Sequence, residues 1–294
     1  MQRRQFSTGL ALVFSATLPV MCAASHPRGD AASSSDSPWR AIEKSVHGRL
    51  GVGVLDTATG RIDGHRLDER FPMCSTFKWL AAALALRRVD NGEEKLERRV
   101  RFGREALLSN SSISETHLAD GMTIAELCEA AITVSDNAAA NLLLDSFGGP
   151  AAITRFARTL GDTMTRLDRN EPALNESRAG DPRDTTTPRA MSVALNSALL
   201  GQGLSTSGRD QLMQWMAATR TGDDRLRAGV PSAWKVGDKT GTGAHGSTND
   251  VAVLLPPNRA PLIVAAYLTQ TTAPLSERNK ALAEVGRAVS TMFT

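Results

Sequence analysis

Strand-like segments stand at both ends of the chain, and a long helical stretch separates them. Near the start, Leu50–Leu55 and Arg61–Arg66 flank Asp56-Thr57-Ala58-Thr59-Gly60, a hairpin signature. Near the end, Trp234–Thr242, Asp250–Leu255 and Leu262–Thr269 are β-branched or alternate apolar with polar side chains. Isolated hairpins are marginal, so both groups are expected to enter one sheet, with the helices between them forming an inserted lobe. The predicted fold class is α/β with two lobes. An antiparallel sheet built from both chain ends is flanked by helices and takes about residues 37–66 and 219–294. The inserted all-α lobe takes about 67–218. A cleft between two such lobes suits a small-molecule site.

Punctuation residues set the helices. Ser37-Pro38 reads as a cap and first helical residue, opening a helix to about His47. Ser75–Val89 is rich in Ala and Leu and stops at Asn91-Gly92. Thr123-Ile124-Ala125-Glu126 fits a capping box and starts a helix to about Val134. Further helices are predicted over Asn137–Ser146, Pro150–Leu160, Pro188–Leu200, Ser207–Ala218 and Ser276–Phe293. Between them Arg169–Thr187 is polar and broken by Pro172, Gly180 and Pro182, a long loop of the kind that carries function.

The first 24 residues read as a signal peptide. Arg3 and Arg4 form a basic head, Leu10–Met21 is apolar, and Cys22-Ala23-Ala24 offers small residues for cleavage. Arg3-Arg4-Gln5-Phe6 also fits twin-arginine export, and Cys22 a lipid attachment that Met21 disfavours. Residues 25–36 form a Ser-, Ala- and Asp-rich flexible leader, and 37–294 one domain. No later segment is long and apolar enough to span a bilayer. Without residues 1–24 the chain carries 32 basic and 31 acidic side chains, which gives no electrostatic case for nucleic acid or membrane partners. Localisation is expected to be periplasmic or secreted, and nothing requires more than a monomer. The five histidines lack zinc-ligand spacing, so no metal is expected. Trp79, Trp215 and Trp234 read as packing residues.

Four motifs carry the chemistry. Ser75-Thr76-Phe77-Lys78 puts an amine within reach of a hydroxyl if it is helical, because i and i+3 share a face. The pattern alone is weak: about one S-x-x-K is expected by chance in a chain this long, and Ser232-Ala233-Trp234-Lys235 is a decoy running into a strand. Ser135-Asp136-Asn137 lies at a helix–helix junction, and Lys239-Thr240-Gly241 inside a strand. In that strand Thr240 and Thr242 share one face, Lys239 and Gly241 the other, and Gly241 permits close approach of another element. Glu171-Pro172-Ala173-Leu174-Asn175 lies in the long loop.

The ordered set S-x-x-K, S-D-N, K-T-G resembles the serine β-lactamases of class A and the penicillin-binding proteins. E-x-x-L-N at Glu171–Asn175 is the class A pattern. The resemblance covers nearly the whole chain after the leader, including Arg169, Asp184 and Asn249-Asp250. It implies a two-step hydrolase, without cofactor, that opens penicillins and cephalosporins and confers antibiotic resistance. Its partners would be small β-lactam molecules. Ser75 would be the nucleophile, and Lys78 or Glu171 (through a water) its base. Ser135 would relay a proton to the lactam nitrogen, and Glu171 with Asn175 would activate the deacylating water. Backbone N–H groups of Ser75 and Thr242 would hold the oxyanion. Lys239, Thr240, Gly241 and Thr242 would bind the substrate carboxylate with Arg225 in support, and Asn137 the side-chain amide. A solvated surface arginine is the plain alternative for Arg225. Arg169 and Asp184 would pair and pin the loop, which requires partial burial because surface pairs contribute only about 0–1 kcal/mol.

Two departures stand out. Leu107–Glu115 lacks the aromatic residue that many family members place at the cleft edge, and Asn110 occupies that place. Cys74 precedes the nucleophile as in carbapenem-hydrolysing members, but their partner cysteine is replaced by Gly243. Cys128 likewise faces Ala82 at its usual partner position, so both thiols are expected free and buried. The rivals are a peptidoglycan D,D-peptidase and a β-lactam sensor domain. Glu171 and Asn175 argue against the first, and the lack of an effector segment against the second.

Overall fold

The computed structural model describes residues 37–293. The expected signal peptide, the expected leader and Cys22 lie outside the described residues. Strands β1 (Arg49–Asp56) and β2 (Arg61–His65) come from the chain start. Strands β3 (Lys235–Thr242), β4 (Thr248–Leu255) and β5 (Leu262–Thr269) come from its end. They form one sheet in the order β2-β1-β5-β4-β3, with every pairing antiparallel. The two chain ends join where Val54 pairs with Val264.

The helices are α1 (Pro38–Ser45), α2 (Lys78–Asp90), α3 (Ile124–Thr133), α4 (Asn137–Ser146) and α5 (Ala151–Thr159). They continue with α6 (Pro188–Leu199), α7 (Thr206–Ala217), the short α8 (Leu226–Gly229) and α9 (Leu275–Phe293). The central strands are covered on both faces, which explains their near-continuous apolar runs. Val251, Val253, Ile263 and Ala265 face the core shared with α2, α6 and α7. Ala252, Leu254, Leu262 and Val264 face a second core closed by α1 and α9. The described residues form one compact unit. Among them, no helix is long and apolar enough to cross a membrane.

Local chemistry accounts for most boundaries. Thr123 and Glu126 form the capping box in both directions, with bonds of 2.7 and 3.2 Å. Helix α1 starts at Pro38, but Ser37 makes no side-chain cap bond. It ends at Ser45 rather than near His47, whose φ of 45° is left-handed. Strand β2 ends at His65 because Arg66 is left-handed as well. The largest correction falls at Ser75. The α-helix begins only at Lys78, and Cys74–Phe77 is a 3₁₀ turn. In a 3₁₀ turn residues i and i+3 eclipse, so Ser75 and Lys78 still stand on one side.

Candidate active site

The turn that carries Ser75 is wedged against β3. A Cβ at Gly241 would lie 2.7 Å from the Met73 carbonyl oxygen and 3.2 Å from Cys74 Cβ, so only glycine lets strand and turn meet here. Asn249 Nδ2 donates to the Pro72 and Met73 carbonyls from β4. Ser75 is 8% exposed and Lys78 fully buried.

Lys78 Nζ donates to the Ser135 carbonyl at 2.8 Å, to Ser135 Oγ at 3.2 Å and to Asn137 Oδ1 at 2.6 Å. It also lies 3.0 Å from Glu171 Oε1. Burial pushes the Lys78 amine below the ordinary lysine range, against the opposing pull of Glu171 and Asp136. From the other side Lys239 Nζ donates to Ser135 Oγ at 3.2 Å and to the Thr240 carbonyl at 2.8 Å. Burial, then repulsion from Lys78, lowers Lys239 to about 7. One hydroxyl, Ser135 Oγ, therefore sits between two buried amines. The turn that presents it is anchored by Asp136, which caps α4 through Ala139 N–H and accepts from Ile113 N–H, Ser114 N–H and Ser114 Oγ.

Glu171 enters from the long loop, after which the chain turns through a cis bond to Pro172. Asn141 on α4 holds its backbone twice: Asn141 Nδ2 donates to the Glu171 carbonyl, and Glu171 N–H donates to Asn141 Oδ1, both at 2.9 Å. Glu171 Oε1 accepts from Ser75 Oγ at 2.9 Å, and Oε2 accepts from Asn175 Nδ2 at 2.5 Å. Asn175 Oδ1 is buried without a donor, leaving acceptor capacity beside this carboxylate. Arg169 and Asp184 do pair, Nε to Oδ2 at 2.6 Å, with the Asp184 side chain only 1% exposed.

Arg225 is not solvated. Its Nη1 donates to the carbonyls of Gly241 at 3.0 Å and Asn249 at 2.7 Å, its Nη2 to Thr242 Oγ1 at 2.7 Å, and its Nε to Asn279 Oδ1. It braces the C-terminal end of β3, and burial lowers its pKa. Thr240 Oγ1 meets Thr221 Oγ1 at 2.6 Å. The structure thus gathers Ser75, Lys78, Ser135, Asn137, Glu171, Asn175 and Lys239 around one centre, with Arg225 behind Gly241 and Thr242. Asn141, Thr221 and Asn279 escaped the sequence reading. Each is a polar residue on or near a helix, and no local pattern marks it out. Cys74 and Cys128 are free and buried. A Cβ at Gly243 would lie 2.6 Å from Cys74 Sγ, so residue 243 does stand beside that thiol.

A sheet built from both chain ends, and a serine, two lysines and a glutamate converging beside it, define a class of acyl-transfer hydrolases. The model of the Beta-lactamase enzyme family matches residues 37–293, and the chain therefore belongs to the β-lactamase family. Among solved structures it is 61% identical to PenP of Rhodopseudomonas palustris, assigned to class A, with a TM-score of 0.86 over 86% of this chain and 97% of that one. It is 59% identical to the class A β-lactamase of the last common ancestor of Gram-negative bacteria, with a TM-score of 0.86 over 87% and 98% of the two chains. A mutant of that ancestor, solved with the transition-state analogue 5(6)-nitrobenzotriazole, is 59% identical, with a TM-score of 0.85 over 86% and 96%. This chain is a class A β-lactamase, a hydrolase acting on β-lactams.

Proposed function

We propose that the protein is an exported enzyme that hydrolyses penicillins and cephalosporins through an acyl-enzyme on Ser75, and so confers resistance. One observation carries this reading: Ser75 Oγ and Lys78 Nζ meet on the same carboxylate oxygen, Glu171 Oε1, while Asn175 holds the other. Ser75 Oγ attacks the lactam carbonyl, and its proton leaves toward Glu171, with the Lys78 amine, 3.0 Å from the same carboxylate oxygen, as the second acceptor. Backbone N–H groups of Ser75 and Thr242 take the developing oxyanion. The C–N bond breaks as Ser135 Oγ, set between Lys78 and Lys239, passes a proton to the lactam nitrogen. A water then attacks the ester, Glu171 accepts its proton, and Ser75 is released. Lys239, Thr240 and Thr242 bind the substrate carboxylate with Arg225 behind them, and Asn137 orients the side-chain amide. Arg169 and Asp184 hold the loop. Residues 1–24 direct export to the periplasm or beyond, and the protein acts as a monomer.

Turnover of a chromogenic cephalosporin tests the reading. Many product equivalents per enzyme are expected, with a transient mass increase on the peptide holding Ser75. Product that stalls at one equivalent would assign a trap instead.

A pH dependence follows from Lys239. Its amine is cationic below about 7 and neutral above. Binding of a carboxylate needs the cation, so affinity is complete below that pH and is lost as pH rises through it. KM is expected to rise between pH 7 and 9, without a matching change in kcat, and the rise should vanish for a substrate whose carboxylate is esterified. A flat KM would remove Lys239 from carboxylate recognition. For stability the sign is opposite. The unfolded chain binds the extra proton between about 7 and 10.5, so this group favours the folded state increasingly across that window.

A further inference from the structure

Asn110 stands at the cleft edge with a left-handed φ of 60°, a conformation asparagine tolerates and bulkier residues resist. Its side chain is turned inward along the protein. Asn110 Nδ2 donates to the Ser135 carbonyl at 2.8 Å, the oxygen that also accepts Lys78 Nζ at 2.8 Å. Its own carbonyl accepts from Asn137 N–H at 2.8 Å. The neighbouring Ser109 carbonyl accepts from Asn137 Nδ2 at 2.8 Å, the same side chain whose Oδ1 takes Lys78 Nζ at 2.6 Å. Ser135 is itself left-handed, with φ 60°. A non-glycine residue persists there only when its surroundings hold it. Two left-handed residues 25 positions apart are thus tied together, and both ties end on acceptors of the Lys78 amine.

We propose that Asn110 is a positioning residue for acylation: its amide fixes the Ser135 carbonyl, and through it the Lys78 amine and the Ser135 hydroxyl. Where an aromatic side chain would offer the substrate a stacking wall, this chain has a tie into its own proton-transfer groups. The inference rests on the roles proposed above for Lys78 and Ser135. It separates the two half-reactions, because Glu171 and Asn175 hang on the long loop and on Asn141, not on Asn110.

Asn110→Gly and Asn110→Asp test it. Both residues adopt φ near 60° readily, and neither keeps the amide donor. Losing one such hydrogen bond should slow acylation about three- to tenfold in single-turnover measurements, while the decay rate of the preformed acyl-enzyme stays at the parent value. The loss should be equal for substrates with small and with bulky acyl side chains. Acylation at the parent rate in both variants would overturn the proposal, as would an equal slowing of both steps. A loss that scales with the acyl side chain would assign Asn110 to direct substrate contact instead. Failure of the unaltered enzyme to form a Ser75 adduct would refute the underlying reading and not this one alone.

Discussion

Glu171→Ala is expected to give a burst of one equivalent of product followed by much slower turnover, with the drug fragment accumulating on Ser75 as a mass increase in rapidly quenched samples. General-base assistance contributes roughly 10²- to 10⁴-fold, and the variant removes the carboxylate that accepts from Ser75 Oγ. Each tenfold is about 1.4 kcal/mol of barrier, so an ester that turned over in milliseconds would persist for roughly tenths of a second to tens of seconds. Acylation should suffer less, and the reason lies at Lys78. Burial holds that amine down, and Glu171 is the strongest influence holding it up. Without the carboxylate the amine loses its proton at lower pH while keeping its bonds to Ser135 and Asn137. A neutral Lys78 can then take the Ser75 proton unaided. Glu171→Gln separates charge from shape, since it keeps the contact with Asn175 but not the base. Undiminished turnover in either variant would remove Glu171 from deacylation.

The sequence reading found the sheet because alternation and β-branching leave a clear mark. Leu262–Thr269 was bounded to the residue, since both its faces are apolar and Pro261 precedes it. The capping box at Thr123 was equally legible, because its four residues complete the contact among themselves. The start of the Ser75 helix was not. Its first turn tightens to 3₁₀ where Met73 and Cys74 press on Gly241, a contact across more than 160 positions that periodicity does not carry. Arg225 shows the same limit from the other side. A lone arginine reads as solvated, yet three hydrogen bonds from this one enter strands β3 and β4, and it is the resemblance to class A members rather than its own surroundings that suggests a role. From the sequence Asn110 signals only a missing aromatic wall. Its bond to Ser135 depends on two loops meeting with matched left-handed residues, and neither loop announces the other.

The loop that bears Glu171 should itself give way when Asp184 is changed to asparagine. One Asp184 oxygen accepts the backbone N–H groups of Asp168 and Arg169 at 2.7 and 2.9 Å, and the other accepts Arg169 Nε at 2.6 Å. The Asp184 carbonyl in turn accepts Met73 N–H at 2.9 Å, which ties the loop to the turn before Ser75. Asparagine tolerates the left-handed φ of 55° at this position, so the backbone is not the cause of any loss. The amide instead must set its NH₂ against a guanidinium or against backbone donors, and the charge of Arg169 loses its main counterion in a largely buried place. Breaking such a pair on one side costs about 2–4 kcal/mol, with the remaining exposure of Arg169 holding it below the fully buried case. For a domain of this size that is a fall in Tm of roughly 5–15 °C. Glu176 and Asp181 also lie near Arg169 and retain part of its charge interaction, so the loop should loosen rather than detach. Deacylation, which depends on Glu171 three residues from Asp168, is then expected to slow more than acylation. A double-mutant cycle with Arg169→Gln isolates the pair. Coupling above about 1 kcal/mol is expected, whereas additive effects on both Tm and deacylation would mean that the two residues hold the loop independently.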